Sequence, residues 1–426
     1  MNPRKLLLNS FNAAIAAADP LHIVPQYLPK PPGTPGGRTL VVGAGKAAAA
    51  MALAVENHWP ETAVLNGIVV TRYGHGMPTN RITVIEAGHP LPDAQGKQAA
   101  RNILAEVNKL GADDLLLCLL SGGGSSLLSL PVANISLNDL KAVTRELLRS
   151  GATIQEINTV RKHLSAIQGG RLAASCHAPI LALVISDVTG DDPTHIASGP
   201  CAPDPTTYQE ALTILERYRI SAPATVMDTL LMGKQGKLAE TPKQGDAIFD
   251  RVENHVIARA HDSVAAAGEF FRNQGITAAI LGDAVTGEAR DVAKVYAALV
   301  REIRHDEHPW KPPVVLISGG ETTVTVNGSG RGGRNTEFLL SLAIELDGVG
   351  NVHALACDTD GIDGSENNAG ATIAPDSLRR ARKLGINAAA SLANNDSYTF
   401  FNQLGDLVVT GPTRTNVNDY RAILIL

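Results

Sequence analysis

The sequence predicts an α/β protein of two domains, and three observations carry that reading. Short apolar, β-branched runs alternate with longer segments of helical period, the pattern of a largely parallel sheet. Several of these runs end in loops rich in Gly, Ser and Asp, where a parallel strand hands over to a helix. The chain has 426 residues, more than one domain usually holds.

The elements follow in order. Leu7, Phe11, Ala14, Ile15 and Ala18 share one helical face. Asn9, Ser10 and Asn12 interrupt the apolar run behind Arg4 and Lys5, which argues for a helix rather than a signal peptide. The proline-rich stretch 29–35 predicts a surface loop. Strands are expected at 39–42, 67–71, 115–120, 180–185, 278–281, 314–317, 352–357 and 407–410. Ser136 with Asp139 three residues on predicts a capping box, ahead of Leu140, Val143 and Leu147 on one face. The stretch 233–247 is polar, contains Gly and Pro, and lacks apolar periodicity, so a boundary is expected there, dividing the chain into 1–240 and 241–426. The irregular stretch 305–313 is an alternative. Val292, Tyr296, Leu299 and Ile303 form a second amphipathic stripe. Arg379, Arg380, Arg382 and Lys383 lie at helical spacing beside Leu378 and Leu384, as on a solvated helix face.

Net charge is −5 with no basic face or arm, which argues against a nucleic-acid partner. No apolar stretch approaches membrane-spanning length. The four cysteines, Cys118, Cys176, Cys201 and Cys357, form no CxxC pair, as fits a reduced, cytoplasmic protein.

Five loops carry the candidate chemistry, since backbone N–H groups at a strand-to-helix turn favour an anion. Gly43-Ala44-Gly45-Lys46-Ala47 follows the first strand; with Ala48 it matches GxGxxA, so a nicotinamide cofactor, with Arg72 nearby, and ATP are both open. Ser121-Gly122-Gly123-Gly124-Ser125 suits phosphate, unless it is merely a flexible turn. Asp187, Asp191 and Asp192 follow the 180–185 run and suit Mg²⁺ or a hydroxyl proton, although Asp also favours turns. In the second half, Glu321 leads to Arg331 and Arg334 among glycines, where a guanidinium can grip a phosphate or carboxylate. Asp358, Asp360 and Asp363 resemble part of a calcium loop, but the twelfth position is Ala369, so magnesium or substrate hydroxyls fit better. His89, His163 and His195 sit near such segments and are expected to be mainly structural.

These motifs, with Val160-Arg161-Lys162-His163-Leu164-Ser165 and the run 410–419, resemble in order the type-2 glycerate kinases, whose C-terminal part is the MOFRL domain. The resemblance runs from about residue 5 to the C-terminus. It implies two α/β domains, the first with a mainly parallel Rossmann-like sheet, and transfer of a phosphoryl group from ATP, with Mg²⁺, to the 2-hydroxyl of D-glycerate. It places the functional lysine on Lys46, the acid on Asp187 and the key arginine on Arg334. Gly43, Gly45, the loop 121–125, Glu321 and Arg331 are expected to contact ATP, and Asp191, Asp360 and Asp363 the metal. The expected partners are a small hydroxy acid and a second copy of the chain in a homodimer. This sequence departs from the family in having Gln168 for Lys and Arg414 for Gly. Members are also labelled hydroxypyruvate reductases, some of tartrate degradation, and NAD(P)H-dependent reduction is the alternative activity.

Overall fold

The computed structural model describes residues 2–33, 36–347 and 349–426. Residues 34 and 35 of the expected proline-rich loop lie outside the described residues. The chain divides into two compact units, Pro20–Ile257 and the residues up to Asp19 together with Ala258–Leu426.

The first unit holds β1 (Thr39–Ala44), β2 (Leu65–Arg72), β3 (Ile82–Ala87), β4 (Leu115–Leu120), β5 (Ile180–Ile185) and β6 (Val252–Ala258). They form one sheet in the order β3-β2-β1-β4-β5-β6. The pairings β2–β3, β1–β2, β1–β4 and β4–β5 are parallel. β1 and β5 are buried throughout, which is why they read as unbroken apolar runs rather than as alternation. The strand order reverses between β1 and β4, and in such sheets the crevice at the reversal is where ligands bind.

Four helices, Leu137–Arg149, Ile154–His163, Tyr208–Arg217 and Ala224–Lys234, pack around Leu140, Leu147, Val160, Tyr208 and Leu230. The capping box expected at Ser136 and Asp139 is present, and Thr153–Glu156 and Thr207–Glu210 repeat it. The units do not divide at 240/241. The polar stretch that suggested a linker is tied back by its charges. Glu240 Oε1 lies 3.0 Å from His163 Nε2, Glu240 Oε2 accepts from Tyr208 N at 3.1 Å, and Lys243 Nζ donates to Asp204 O at 3.0 Å. β6 then extends the same sheet, its Glu253, Asn254 and His255 having hidden it in the sequence.

Burial, the largest influence on Glu240, would raise its pKa, but hydrogen bonds from His163, Thr241 N and Tyr208 N outweigh it and hold the carboxyl at about 2. The folded value lies below the unfolded one, so this stabilisation is fully present above about pH 4.5 and is lost as pH falls towards 2. Glu240 is 34 % exposed, which discounts the contribution to about 1–2 kcal/mol. Urea unfolding across this range should show an acid limb that Glu240→Gln flattens; an identical limb in the variant would assign the loss elsewhere.

The second unit holds β7 (Thr277–Val285), β8 (Val314–Gly320), β9 (Val352–Asp358), β10 (Gly370–Ile373), β11 (Leu407–Val408) and β12 (Asp419–Ile425) in the order β11-β10-β9-β12-β8-β7. β7 and β8 are parallel, while β12 runs antiparallel to both β8 and β9. The start of β12 therefore lies beside the carboxyl ends of β8 and β9. Val315, Ile317, Leu355 and Leu424 face the helix Ala260–Arg272 and the N-terminal helix Pro3–Ala16, through Leu7, Phe11 and Ala14. Alternate residues Leu316, Ala354 and Ile423 face Tyr296, Val300, Phe338 and Leu342 of the helices Ala289–Asp306 and Arg334–Glu345. The N-terminal helix is locked in place by Ser263 Oγ donating to Ala14 O and Tyr420 Oη donating to Ser10 Oγ, at 2.8 and 2.9 Å.

Arg414 has φ 62°, a left-handed conformation that costs an L-residue about 1–2 kcal/mol. Its Nε is also buried without a hydrogen-bond partner. Arg414→Gly should stabilise the protein by about 0.5–1 kcal/mol, less than the strain because Gly also loosens the unfolded chain. A lower urea midpoint in the variant would show that Arg414 repays its strain.

Candidate active site

In the first unit, β1, β4 and β5 are neighbours, so the loops that follow them share one edge of the sheet. Gly43 and Gly45 admit close approaches from β4 and from the loop that follows it. A Cβ on Gly43 would stand 2.3 Å from Leu119 O, and one on Gly45, at φ 138°, 2.1 Å from Ser121 Oγ. The two glycine loops are stitched by Lys46 N donating to Gly122 O at 2.9 Å and Ala47 N to Ser121 Oγ at 3.0 Å. Lys46 thus stands in the turn before the helix Ala48–His58.

Gly123, at φ 81°, makes room for His89, which the sequence had suggested to be mainly structural. A Cβ there would lie 2.9 Å from His89 Nε2 and 3.6 Å from Lys46 Cγ, so the imidazole and the lysine stem meet over this glycine. Gly124 is pressed by Ala197, whose Cβ would be 2.5 Å away. Ala197 and Ser198 both take left-handed backbone, φ 51° and 59°, and Ser198 Oγ donates to Ser125 Oγ at 2.8 Å. Strained non-glycine backbone of this kind tends to gather at functional sites. Asp187 is half-buried directly after β5, and Asp191 has φ 55° in the same loop. His163 is structural, buried between Thr159 O and Glu240 and set edge-on to Tyr208.

In the second unit Arg334 opens its helix and reaches three carboxylates. Nε donates to Asp419 Oδ1, Nη2 to Asp358 Oδ2 and Nη1 to Glu321 Oε1, each at 2.8 Å. Burial, the largest influence, would lower its pKa, but Asp419, Asp358 and Glu321 together raise it well above the usual arginine value. Asp419 is held in turn by Arg421, which is fully buried and also donates to Gly319 O and Thr322 Oγ1. A cavity of about 280 Å³ opens beside Arg334, lined by Thr322, Val324, Gly332, Gly333 and Asn395. Arg421 escaped sequence reasoning, and Asp419 entered it only as the end of the run 410–419, because a strand that begins with buried charges does not read as a strand.

Two expected ligand contacts are otherwise engaged. Arg331 is 59 % exposed, forms a two-pronged pair with Glu366 and lies 4.6 Å from the centre of the Tyr398 ring. Asp363 does not fit the metal set. Its Oδ1 accepts from Asn335 N and Nδ2, and its Oδ2 from Thr336 N and Oγ1, which uses all four acceptor positions. Gly333 exists for this contact, since a Cβ there would stand 2.3 Å from Asp363 Oδ1. Among the described residues no three His, Cys, Asp or Glu side chains gather as a metal site. Asp191 and Asp360 retain the chemistry for Mg²⁺, which commonly takes one or two carboxylates plus substrate phosphates.

Fold and site together define a two-unit α/β enzyme that sets basic and acidic groups at the carboxyl ends of its strands. Residues 6–231 match a family described as a domain of unknown function, DUF4147, and residues 314–419 match the MOFRL family. A putative hydroxypyruvate reductase of Agrobacterium vitis is 51% identical over 428 residues, covering 100% of this chain and 95% of its own length. The D-glycerate 2-kinase of Thermotoga maritima is 40% identical over 418 residues, covering 98% and 97%. The crystal structure of glycerate kinase from the same organism matches with a TM-score of 0.87 at 39% identity, over 99% of each chain. The chain belongs to the glycerate 2-kinase family.

Proposed function

We propose that this protein transfers the γ-phosphoryl group of ATP to the 2-hydroxyl of D-glycerate, giving 2-phosphoglycerate and ADP. The observation that carries this reading is Lys46, set between two interlocked glycine loops where the strand order reverses. Phosphoryl transfer is mostly positioning and charge neutralisation, and such parts supply both. Asp187 orients the attacking hydroxyl and accepts its proton. Within the first unit Lys46 offsets negative charge on the transferring group and the loop 121–125 contacts phosphate; within the second, Arg334 offers a cation to a phosphate or carboxylate. Asp191 in the first unit and Asp360 in the second are each candidates to hold Mg²⁺, which when bound would offset charge on phosphate oxygens. The four free, buried cysteines fit a reducing compartment, and the cytoplasm is part of this proposal.

The engagement of the first glycine turn weighs against the reductase named in the Agrobacterium relative. A dinucleotide pyrophosphate needs free amides at the helix start. Here Lys46 N, Ala47 N and Ala48 N donate to Gly122 O, Ser121 Oγ and Gly45 O, so a pyrophosphate would have to displace them.

A paired assay tests the proposal. One arm holds ATP, Mg²⁺ and D-glycerate with coupled detection of ADP, plus enolase to identify 2-phosphoglycerate. The other holds NADH or NADPH with hydroxypyruvate. ADP release with an enolase-competent product is expected. Nicotinamide oxidation without ADP release would overturn the kinase.

A further inference from the structure

Arg161 stands near the C-terminal end of the helix Ile154–His163 and lines a small cavity with Ser125, Ser129, Leu140, Ser165 and Gln168. Three other cations drawn into the fold are paired with carboxylates: Lys162 with Asp204, Arg334 with Asp419 and Asp358, and Arg421 with Asp419. Among the described residues Arg161 has no carboxylate partner, only a long hydrogen bond from Nη1 to Asn158 Oδ1 at 3.4 Å. Burial alone lowers its pKa to about 10, with no opposing charge to raise it. The dipole of its own helix favours a cation at that end, but this is small beside the cost of withdrawing a guanidinium from water.

The cavity is built to receive an anion. Ser125 Oγ already accepts from Ser198 Oγ at 2.8 Å, which leaves its own proton to donate. Both Gln168 amide protons are used on Ser125 O and Leu128 O, at 2.8 and 3.0 Å, so Gln168 braces the wall and adds no charge. Arg161 is then the one cation of the lining, and the space, about 10 Å³, admits one oxygen. A single positive charge and room for one oxygen suit a carboxylate edge better than a doubly charged, tetrahedral phosphate.

We infer that Arg161, with Ser125, clamps the carboxylate of the acceptor hydroxy acid at the end of the glycine-rich loop. The inference rests on the kinase reading and deepens it. The 2-hydroxyl is carried on the carbon next to the carboxyl group, so a clamp there fixes the 2-hydroxyl more closely than the 3-hydroxyl.

The test compares wild type with Arg161→Met and Arg161→Lys. Arg161→Met should raise KM for D-glycerate about 100-fold while KM for ATP stays within about 3-fold. Arg161→Lys should fall between, because an ammonium keeps the charge but not the reach and planar geometry of the guanidinium. Without ligand, Arg161→Met should unfold at the same or a higher temperature, since it removes a half-buried charge that has no carboxylate partner among the described residues. D-glycerate alone should raise the melting temperature of wild type but not of Arg161→Met. An unchanged glycerate KM, a rise confined to ATP, or a ligand-free variant that melts well below wild type would each overturn the clamp. Absence of ADP release by wild type would overturn the kinase reading, and the glycerate-induced thermal shift would still decide the clamp.

Discussion

Replacing Lys46 with alanine is expected to leave the protein folded and to lower kcat at least about 100-fold, a loss of about 2.7–4 kcal/mol at the barrier by comparison with removal of an oxyanion donor. The fold should survive because the backbone of Lys46, through its N–H to Gly122 O, joins the two glycine loops, and alanine keeps that bond. The left-handed Gly45 and Gly123 beside it are untouched. The lysine stem passes within reach of Gly123 and His89, so alanine removes the ammonium without leaving a hole in the main core. Circular dichroism and the urea midpoint would check the first half of the expectation, and steady-state kinetics with saturating ATP and D-glycerate the second. Near-normal kcat in a folded variant would remove Lys46 from the chemistry. A raised KM for ATP with unchanged kcat would reassign it to ground-state binding.

Much of this architecture was legible because hydrophobic runs and loop composition report burial directly. β1, β4 and β5 are covered on both faces, and their residues form unbroken apolar stretches at the expected places. The overlooked strands fail that test for specific reasons. β3 and β6 lie at the edges of the first sheet and carry exposed polar residues. β12 is buried throughout yet starts with Asp419 and Arg421 on either side of Tyr420, and the charges of Asp419, Arg421 and Arg334 offset one another in three dimensions only. The division between the units was also illegible: the chain begins in one unit, builds the other, and returns, and nothing local in residues 17–20 marks that crossing.

The glycines teach a narrower lesson. Sequence reasoning assigned the spare room at Gly43, Gly45 and the glycines around Arg331 and Arg334 to a ligand. In the structure Leu119 O, Ser121 Oγ and the Asp363 carboxylate take that room. A glycine-rich motif marks a close approach, but the partner can be another part of the chain. Gly123, which admits His89 beside Lys46, is where a close approach brings together two groups with chemistry to offer.

Asp363 separates these two kinds of role experimentally. Asp363→Ala would strand the amides of Asn335 and Thr336 in a buried site, at about 1–3 kcal/mol for each unpaired donor. Part of that loss is recovered, because burial, the largest influence on Asp363, outweighs its hydrogen bonds and raises its pKa, so its charge already opposes folding. The expected net loss of stability is about 2–4 kcal/mol, read from urea unfolding. Asp363→Asn keeps one accepting oxygen and should lose less, which provides a folded variant for kinetics. In that variant the Mg²⁺ concentration giving half-maximal rate should match wild type, since all four acceptor positions of Asp363 face the start of the helix Arg334–Glu345. A variant of undiminished stability that needs much more Mg²⁺ would return Asp363 to the metal, and would mean that the helix start rearranges when ATP binds.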